Sequence, residues 1–316
     1  MTAASGYDDY GPQGRSRWLD IDWREHMSWV RVEDRWANVV SYGSGPPVLF
    51  VHGLGGSWQN WLENIPVMAD AGYRSIAVDL PGFGVSEMPR EKISITGCGR
   101  WIESLLGELG TGPVALVGNS MGGFIGAETA IKFPQHVERL VLVSAAGISI
   151  EHQRNDTAMD ALYRTETVTK YLATWLAARS EDIATRPGLR RALLRFVAAH
   201  PDRLPGPLIA EQVRGTGKPG FLPAIDALTS YPIRDRLPDI ACPTLIVWGA
   251  DDKLVPLADA DVFEDLIPDS RKVVFEDTGH VAMFERPARF NRLLTDFLAE
   301  KPGEEVDETS EAAVRR

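Results

Sequence analysis

Four short, largely apolar stretches divide the first half of the chain at near-even spacing: residues 47–51, 74–78, 114–117 and 140–143. Each runs into a small or polar stop: His52-Gly53, Asp79, Gly118 and Ser144. Short runs that are apolar on consecutive rather than alternate positions are what a strand covered on both faces requires. Between them, residues 59–70, 98–109 and 121–133 carry the three-and-four spacing of a helix with one buried face. Strand, helix, strand in repetition predicts a mostly parallel sheet flanked by helices on both sides. Residues 29–42 differ. There Val30 and Val32, then Ala37, Val39 and Ser41, alternate around Glu33-Asp34-Arg35, which predicts a leading hairpin.

After Ala146 the alternation stops. Residues 147–229 are helical in character, most clearly at 167–179 and 188–199, and hold no run resembling a buried strand. The sheet signal resumes at 244–248 and 272–275 and closes with a helix at 289–298. The expected organisation is an α/β core from 29–146 and 230–300, a helical cap inserted at 147–229, a flexible N-terminal segment at 1–28 and a disordered acidic tail at 301–316. No internal repeat is present.

Composition narrows the function more than the fold. Hydrophobic residues at 44% and charged residues at 24% are those of an ordinary globular protein. A formal net charge of −11, with no lysine or arginine runs, argues against nucleic acid as a partner. Part of that charge sits in the tail at 304–311, so the folded body is closer to neutral. No apolar run approaches the ~20 residues of a membrane span. The N-terminus lacks the basic and apolar regions of a secretory signal, so a cytoplasmic location is expected. Cys98 and Cys242 form no metal-ligand or Cys-x-x-Cys pattern, and the six histidines are scattered. No glycine-rich loop has a nucleotide-binding form. No cofactor and no metal are expected, and the sequence does not set an oligomeric state.

Candidate chemistry begins at Gly118-Asn119-Ser120-Met121-Gly122-Gly123, which follows a predicted buried strand and opens a predicted helix. A serine at such a turn projects over the sheet edge, and flanking glycines let the turn close without a Cβ clash. The Met121 amide, first in a helix, is a free donor for an oxyanion. His52-Gly53-Leu54-Gly55-Gly56 ends an earlier strand, and the Leu54 amide is the candidate second donor; His52 itself reads as a structural residue holding that loop. Two acids, Asp251 and Asp252, follow the strand at 244–248, and His280 follows the next one. All three loops belong at the carboxyl edge of the sheet, where open α/β sheets bind ligands. A histidine there can take the serine proton while a carboxylate on its other nitrogen fixes the tautomer. Asp79, also at a strand end, reads as a turn-capping residue.

Taken together, these motifs resemble the α/β-hydrolase superfamily over about residues 29–298. Gly249, Asp252 and Pro256 resemble its acid loop, which selects Asp252 over Asp251. Gly279-His280 with Glu285 and Pro287 resembles its histidine loop, and Asp79-Leu80-Pro81-Gly82-Phe83-Gly84-Val85-Ser86 resembles another of its turns. The resemblance implies a catalytic triad of Ser120, Asp252 and His280. A serine nucleophile suits acyl-enzyme chemistry, whereas members resembling haloalkane dehalogenases or epoxide hydrolases carry aspartate there. A small-molecule carboxylic ester, cleaved as by a carboxylesterase or lipase, is the leading expectation.

One alternative is a carbon–carbon bond hydrolase acting on meta-cleavage products, whose elbow is often close to Gly-Asn-Ser-Met-Gly-Gly. That family's polar dienoate-binding features are not evident, and Leu54-Gly55-Gly56-Ser57-Trp58 looks more esterase-like. Cofactor-free perhydrolysis and a non-enzymatic binding role are the remaining alternatives. Trp175, Phe196, Phe221 and Leu222 from the cap, with Phe124 and Val281 from the core, are the candidate walls of an apolar substrate pocket.

Overall fold

A computed structural model describes residues 9–149 and 174–300. Its eight strands form one sheet: β1 (Met27–Val32), β2 (Arg35–Tyr42), β3 (Pro47–Val51), β4 (Arg74–Val78), β5 (Val114–Asn119), β6 (Val137–Val143), β7 (Thr244–Gly249) and β8 (Ser270–Phe275). They lie in the order β1-β2-β4-β3-β5-β6-β7-β8. β1 and β2 form the expected hairpin, turning at Glu33 and Asp34, whose φ of 47° and 64° is the backbone of a tight two-residue loop. β2 meets β4 antiparallel, and from β4 to β8 every pairing is parallel. Among the described residues the helices include α1 (Ile65–Asp70), α2 (Ile95–Leu109), α3 (Met121–Lys132), α4 (Ser180–Thr185), α5 (Pro187–Leu194), α6 (Gly206–Arg214), α7 (Phe221–Thr229), α8 (Leu257–Leu266), α9 (Ala282–Glu285) and α10 (Pro287–Ala299).

The consecutive apolar runs have the expected cause. β5 and β7 are buried at every position, because alternate residues enter two different cores on the two faces of the sheet. Leu116 and Ile246 join one core, Val117 and Val247 the other. Edge strand β8 is mostly half-buried, which is why only its end stood out in the sequence.

Several expectations change. The single helix expected at 59–70 is a 3₁₀ turn at Trp58–Trp61 followed by α1. Pro66 lies in the first turn of α1, where its missing N–H costs nothing, and it cannot continue a preceding helix. α2 begins at Ile95 rather than 98, because the Ser94 side chain accepts from the Gly97 amide and caps it. The expected flexible lead is packed over 9–28: Tyr10 and Trp18 are buried, and the Ser16 hydroxyl and Trp18 indole both donate to Glu63 at 2.6 and 2.7 Å.

Within the stretch expected to form a cap, α7 joins the sheet core through Ala224, Ala227 and Leu228. The helix expected at 188–199 is the shorter α5, and of the helix expected at 167–179, residues 167–173 lie outside the described residues. The tail at 301–316 also lies outside them. Among the described residues no helix is long and apolar enough to cross a membrane.

Candidate active site

Ser120 sits between β5 and α3 at φ 53°, ψ −118°, a conformation that L-residues rarely adopt and that is often found at functional sites. The surrounding glycines explain how the turn closes. A Cβ added at Gly118 would lie 2.3 Å from the Gly122 carbonyl oxygen, and one at Gly122 would lie 2.2 Å from that of Val51. α3 therefore starts in backbone contact with β3. The Ser120 carbonyl accepts from Phe124 and Ala146 amides, both at 3.1 Å, so the strained residue is held from two sides.

The loop after β3 lies directly against this elbow: a Cβ on Gly53 would be 3.0 Å from Ser120 Cβ. The Leu54 amide donates to no backbone acceptor among the described residues, and Met121 is the first residue of α3, whose opening amides have no intrahelical acceptor. His52 underpins the loop. Its Nε2 accepts the Leu80 amide at 3.0 Å, which leaves Nδ1 to donate to the Gly53 carbonyl at 2.8 Å. Burial pushes the His52 pKa down, consistent with a neutral staple and with the structural reading of this residue. Asp79 is likewise fully occupied, accepting from Asn38, Trp58 and Val85.

On the other side, the structure brings Asp252 and His280 together. His280 is 5% exposed, and its Nδ1 lies 2.8 Å from Asp252 Oδ2. Asp252 Oδ1 accepts the Leu254 and Val255 amides at 2.8 and 2.9 Å, so three donors converge on one carboxylate. Asp251 is exposed, and its amide donates to the Thr278 carbonyl at 2.9 Å. Asn119, next to the serine, donates to the His280 carbonyl at 3.2 Å and ties the two halves together. With Nδ1 engaged, Nε2 is the ring nitrogen without a hydrogen-bond partner among the described residues. No hydrogen bond joins Ser120 Oγ to His280 Nε2.

A second carboxylate, which the sequence pointed to only as part of a motif, holds the histidine loop. Glu285 is fully buried and accepts the amides of Gly279 (3.0 Å) and Val281 (3.2 Å), the residues on either side of His280. It also accepts the Ala199 amide and the Tyr10 hydroxyl, both at 2.8 Å, which links the loop to the residues after α5 and to the N-terminal segment. Burial raises the Glu285 pKa against the lowering effect of these bonds. The cue in the sequence was weak, because an acid five residues after a histidine is usually an exposed one.

The expected pocket walls separate into three groups. The Phe221 ring packs on the loop beside the serine, 3.4 Å from where a Gly55 Cβ would be, and Leu222 is buried next to it. Phe124 and Val281 are buried in the two cores, Phe124 beneath Gly147 and beside Tyr231. Trp175 and Phe196 do not form an enclosed wall: they are 42% and 50% exposed, and each ring is covered by an arginine, Arg179 or Arg195. Their helical spacing placed them on a helix but did not say which face. Burial pushes the thiols of Cys98 and Cys242 up, to about 12 and about 11, so neither is an activated nucleophile.

With this geometry in view, known proteins can be set beside the chain. A family model described as alpha/beta hydrolase fold matches residues 46–287. The 2-hydroxy-6-oxo-6-phenylhexa-2,4-dienoate hydrolase of Comamonas testosteroni is 30% identical, covering 82% of this chain and 90% of its own. The 2-hydroxy-6-oxo-2,4-heptadienoate hydrolase of Pseudomonas putida is 33% identical, covering 83% and 92%. Among solved structures, an esterase from Exiguobacterium antarcticum superposes with a TM-score of 0.71 at 25% identity, covering 86% of this chain and 99% of its own. Matched by the family model over most of its length and by relatives aligned over more than four-fifths of it, the chain belongs to the α/β-hydrolase family.

Proposed function

We propose that this chain is a serine-dependent hydrolase that cleaves a carbon–carbon bond in a 2-hydroxy-6-oxo-dienoate. The observation that carries the substrate class is its relationship, at 30% and 33% identity over more than four-fifths of the chain, to two hydrolases named for such compounds. That relationship favours the alternative drawn from the sequence over the leading expectation of an ester.

In this reading Ser120 is the nucleophile, His280 the general base and Asp252 the group that orients it. With Nδ1 donated to Asp252, Nε2 presents its lone pair to the serine proton, and the imidazolium that forms is stabilised by the buried carboxylate. The serine–histidine contact closes when substrate binds, as catalytic hydrogen bonds commonly do. Amides of Leu54 and Met121 receive the charge that develops on the attacked carbonyl. Phe221 and Leu222 form the cap-side wall.

A ketone loses a carbon substituent only if that carbon can hold the electron pair. The 2-hydroxy group provides for this: moving its proton to C5 creates a 2-oxo group conjugated through the C3–C4 double bond. When Ser120 adds to the C6 carbonyl and the C5–C6 bond breaks, the pair flows from C5 onto the C2 oxygen as a dienolate. Protonation yields a 2-hydroxy-2,4-dienoate, and water then releases the C6 fragment from the serine as a carboxylic acid.

A second reading, a carboxylic ester as substrate, is supported by the likeness to the Exiguobacterium esterase and uses the same residues. The deciding experiment offers the purified chain 2-hydroxy-6-oxo-6-phenylhexa-2,4-dienoate, whose chromophore bleaches on cleavage, beside p-nitrophenyl butyrate. We expect the larger kcat/KM for the dienoate. Rapid ester turnover with an unbleached dienoate moves the assignment to an esterase.

A further inference from the structure

Away from the serine, a cavity of about 280 Å³ opens between the β1–β2 hairpin, the turn after β4 and the start of α2. Its apolar walls include Trp36, Pro81, Pro89, Ile93 and Trp101. Its charged lining is almost fully paired. Arg100 bonds Glu33 and Glu91 at 3.2 and 2.7 Å, Lys92 meets Asp226 at 2.5 Å, Arg90 lies 4.0 Å from Asp34, and Glu87 accepts the Trp36 amide at 2.9 Å. The Ser94 hydroxyl already accepts the Gly97 amide, so the helix start is capped from within.

Arg35 is the exception. Its Nε is buried without a hydrogen-bond partner, and no ion pair reaches its guanidinium among the described residues. A guanidinium edge presents two parallel N–H groups, the match for the two oxygens of a carboxylate. Trp36 and Trp101 offer aromatic surface for a flat apolar body. The volume is near the lower end for ligand pockets, roughly 300–1,000 Å³, so it suits a compound built on one ring.

We propose that this cavity is a second small-molecule site that binds an aromatic monocarboxylate, with Arg35 gripping the carboxylate and the tryptophans flanking the ring. The site does not depend on the reaction assigned to Ser120. The test is calorimetric titration of the full chain with benzoate and with its neutral analogue benzamide. Benzoate binds the wild type, and benzamide binds about tenfold more weakly or not at all, the loss expected when a charge-assisted pair is missing. Arg35→Met lowers benzoate affinity about tenfold while leaving hydrolytic turnover unchanged. Should thermal melts show that Arg35→Met is unfolded, Arg35→Lys replaces it: the charge stays, the fork is lost, and affinity still falls. Equal binding of benzoate and benzamide, benzoate affinity indifferent to both Arg35 variants, or no heat at millimolar benzoate each overturns the proposal.

Discussion

The two halves of the candidate site are built by different physics. On the Ser120 side the backbone does the positioning: Ser120 is held at positive φ, Gly118 lets β5 meet α3 and Gly122 lets α3 meet β3 more closely than any side chain permits. On the histidine side, carboxylates do it. Asp252 gathers two amides and the imidazole, and Glu285 gathers the amides that flank His280. The nucleophile half should therefore be sensitive to added volume, and the histidine half to lost acceptors.

The sharpest separation comes from Asp252→Asn. The amide oxygen can still accept from Leu254 and Val255, but its NH₂ now faces Nδ1 and favours the wrong imidazole tautomer. We expect kcat to fall by about 10⁴ with the melting temperature little changed. Steady-state kinetics beside calorimetry checks both parts, and a large stability loss would mean that Asp252 is mainly a structural residue.

Gly122→Ala breaks the other half. A methyl group 2.2 Å from the Val51 oxygen must displace α3 or β3, and the expected cost is roughly 4 kcal/mol in a denaturant melt, among the largest for a single substitution. A cost near zero would show that the elbow has slack.

Glu285→Gln has the next effect. One acceptor oxygen becomes a donor facing other donors, at about 1–3 kcal/mol of stability. Because the misplaced loop carries His280, kcat should fall about tenfold while KM holds. An unchanged kcat in a destabilised protein would make Glu285 purely a folding residue.

The smallest effect is a pH dependence of that same variant. Burial raises the Glu285 pKa above 4.5, so its folded form holds a proton more readily than its unfolded form. Its contribution is fully present below pH 4.5 and declines as pH rises through the folded pKa. The stability gap between wild type and Glu285→Gln should narrow over that rise, read from melting temperatures between pH 4 and pH 8. A widening gap would contradict the sign.

How much of this was visible in the sequence follows the same division. The nucleophile half was legible because its constraints are local: a buried run, a glycine-flanked serine and a helix start are contiguous from 114 to 133. Asp252 and His280 were legible only through order and loop motifs, since their meeting depends on where β7 and β8 end. Glu285 was legible as a motif letter and not as an anchor, because its partners Ala199 and Tyr10 come from distant segments. The N-terminal segment misled for a related reason. Its glycines and polar residues signal a loose end, yet Tyr10 and Trp18 carry enough buried surface and hydrogen bonding to pin it. Trp175 and Phe196 show the converse, with a helical period that could not report which side faced the core.

Mass spectrometry after fluorophosphonate treatment is the most direct test of the central claim, that Ser120 is a nucleophile served by the His280–Asp252 pair. The wild type should gain a single adduct, mapping to Ser120, and His280→Ala should react far more slowly. An unlabelled serine, or labelling at the same rate in both proteins, would contradict the account.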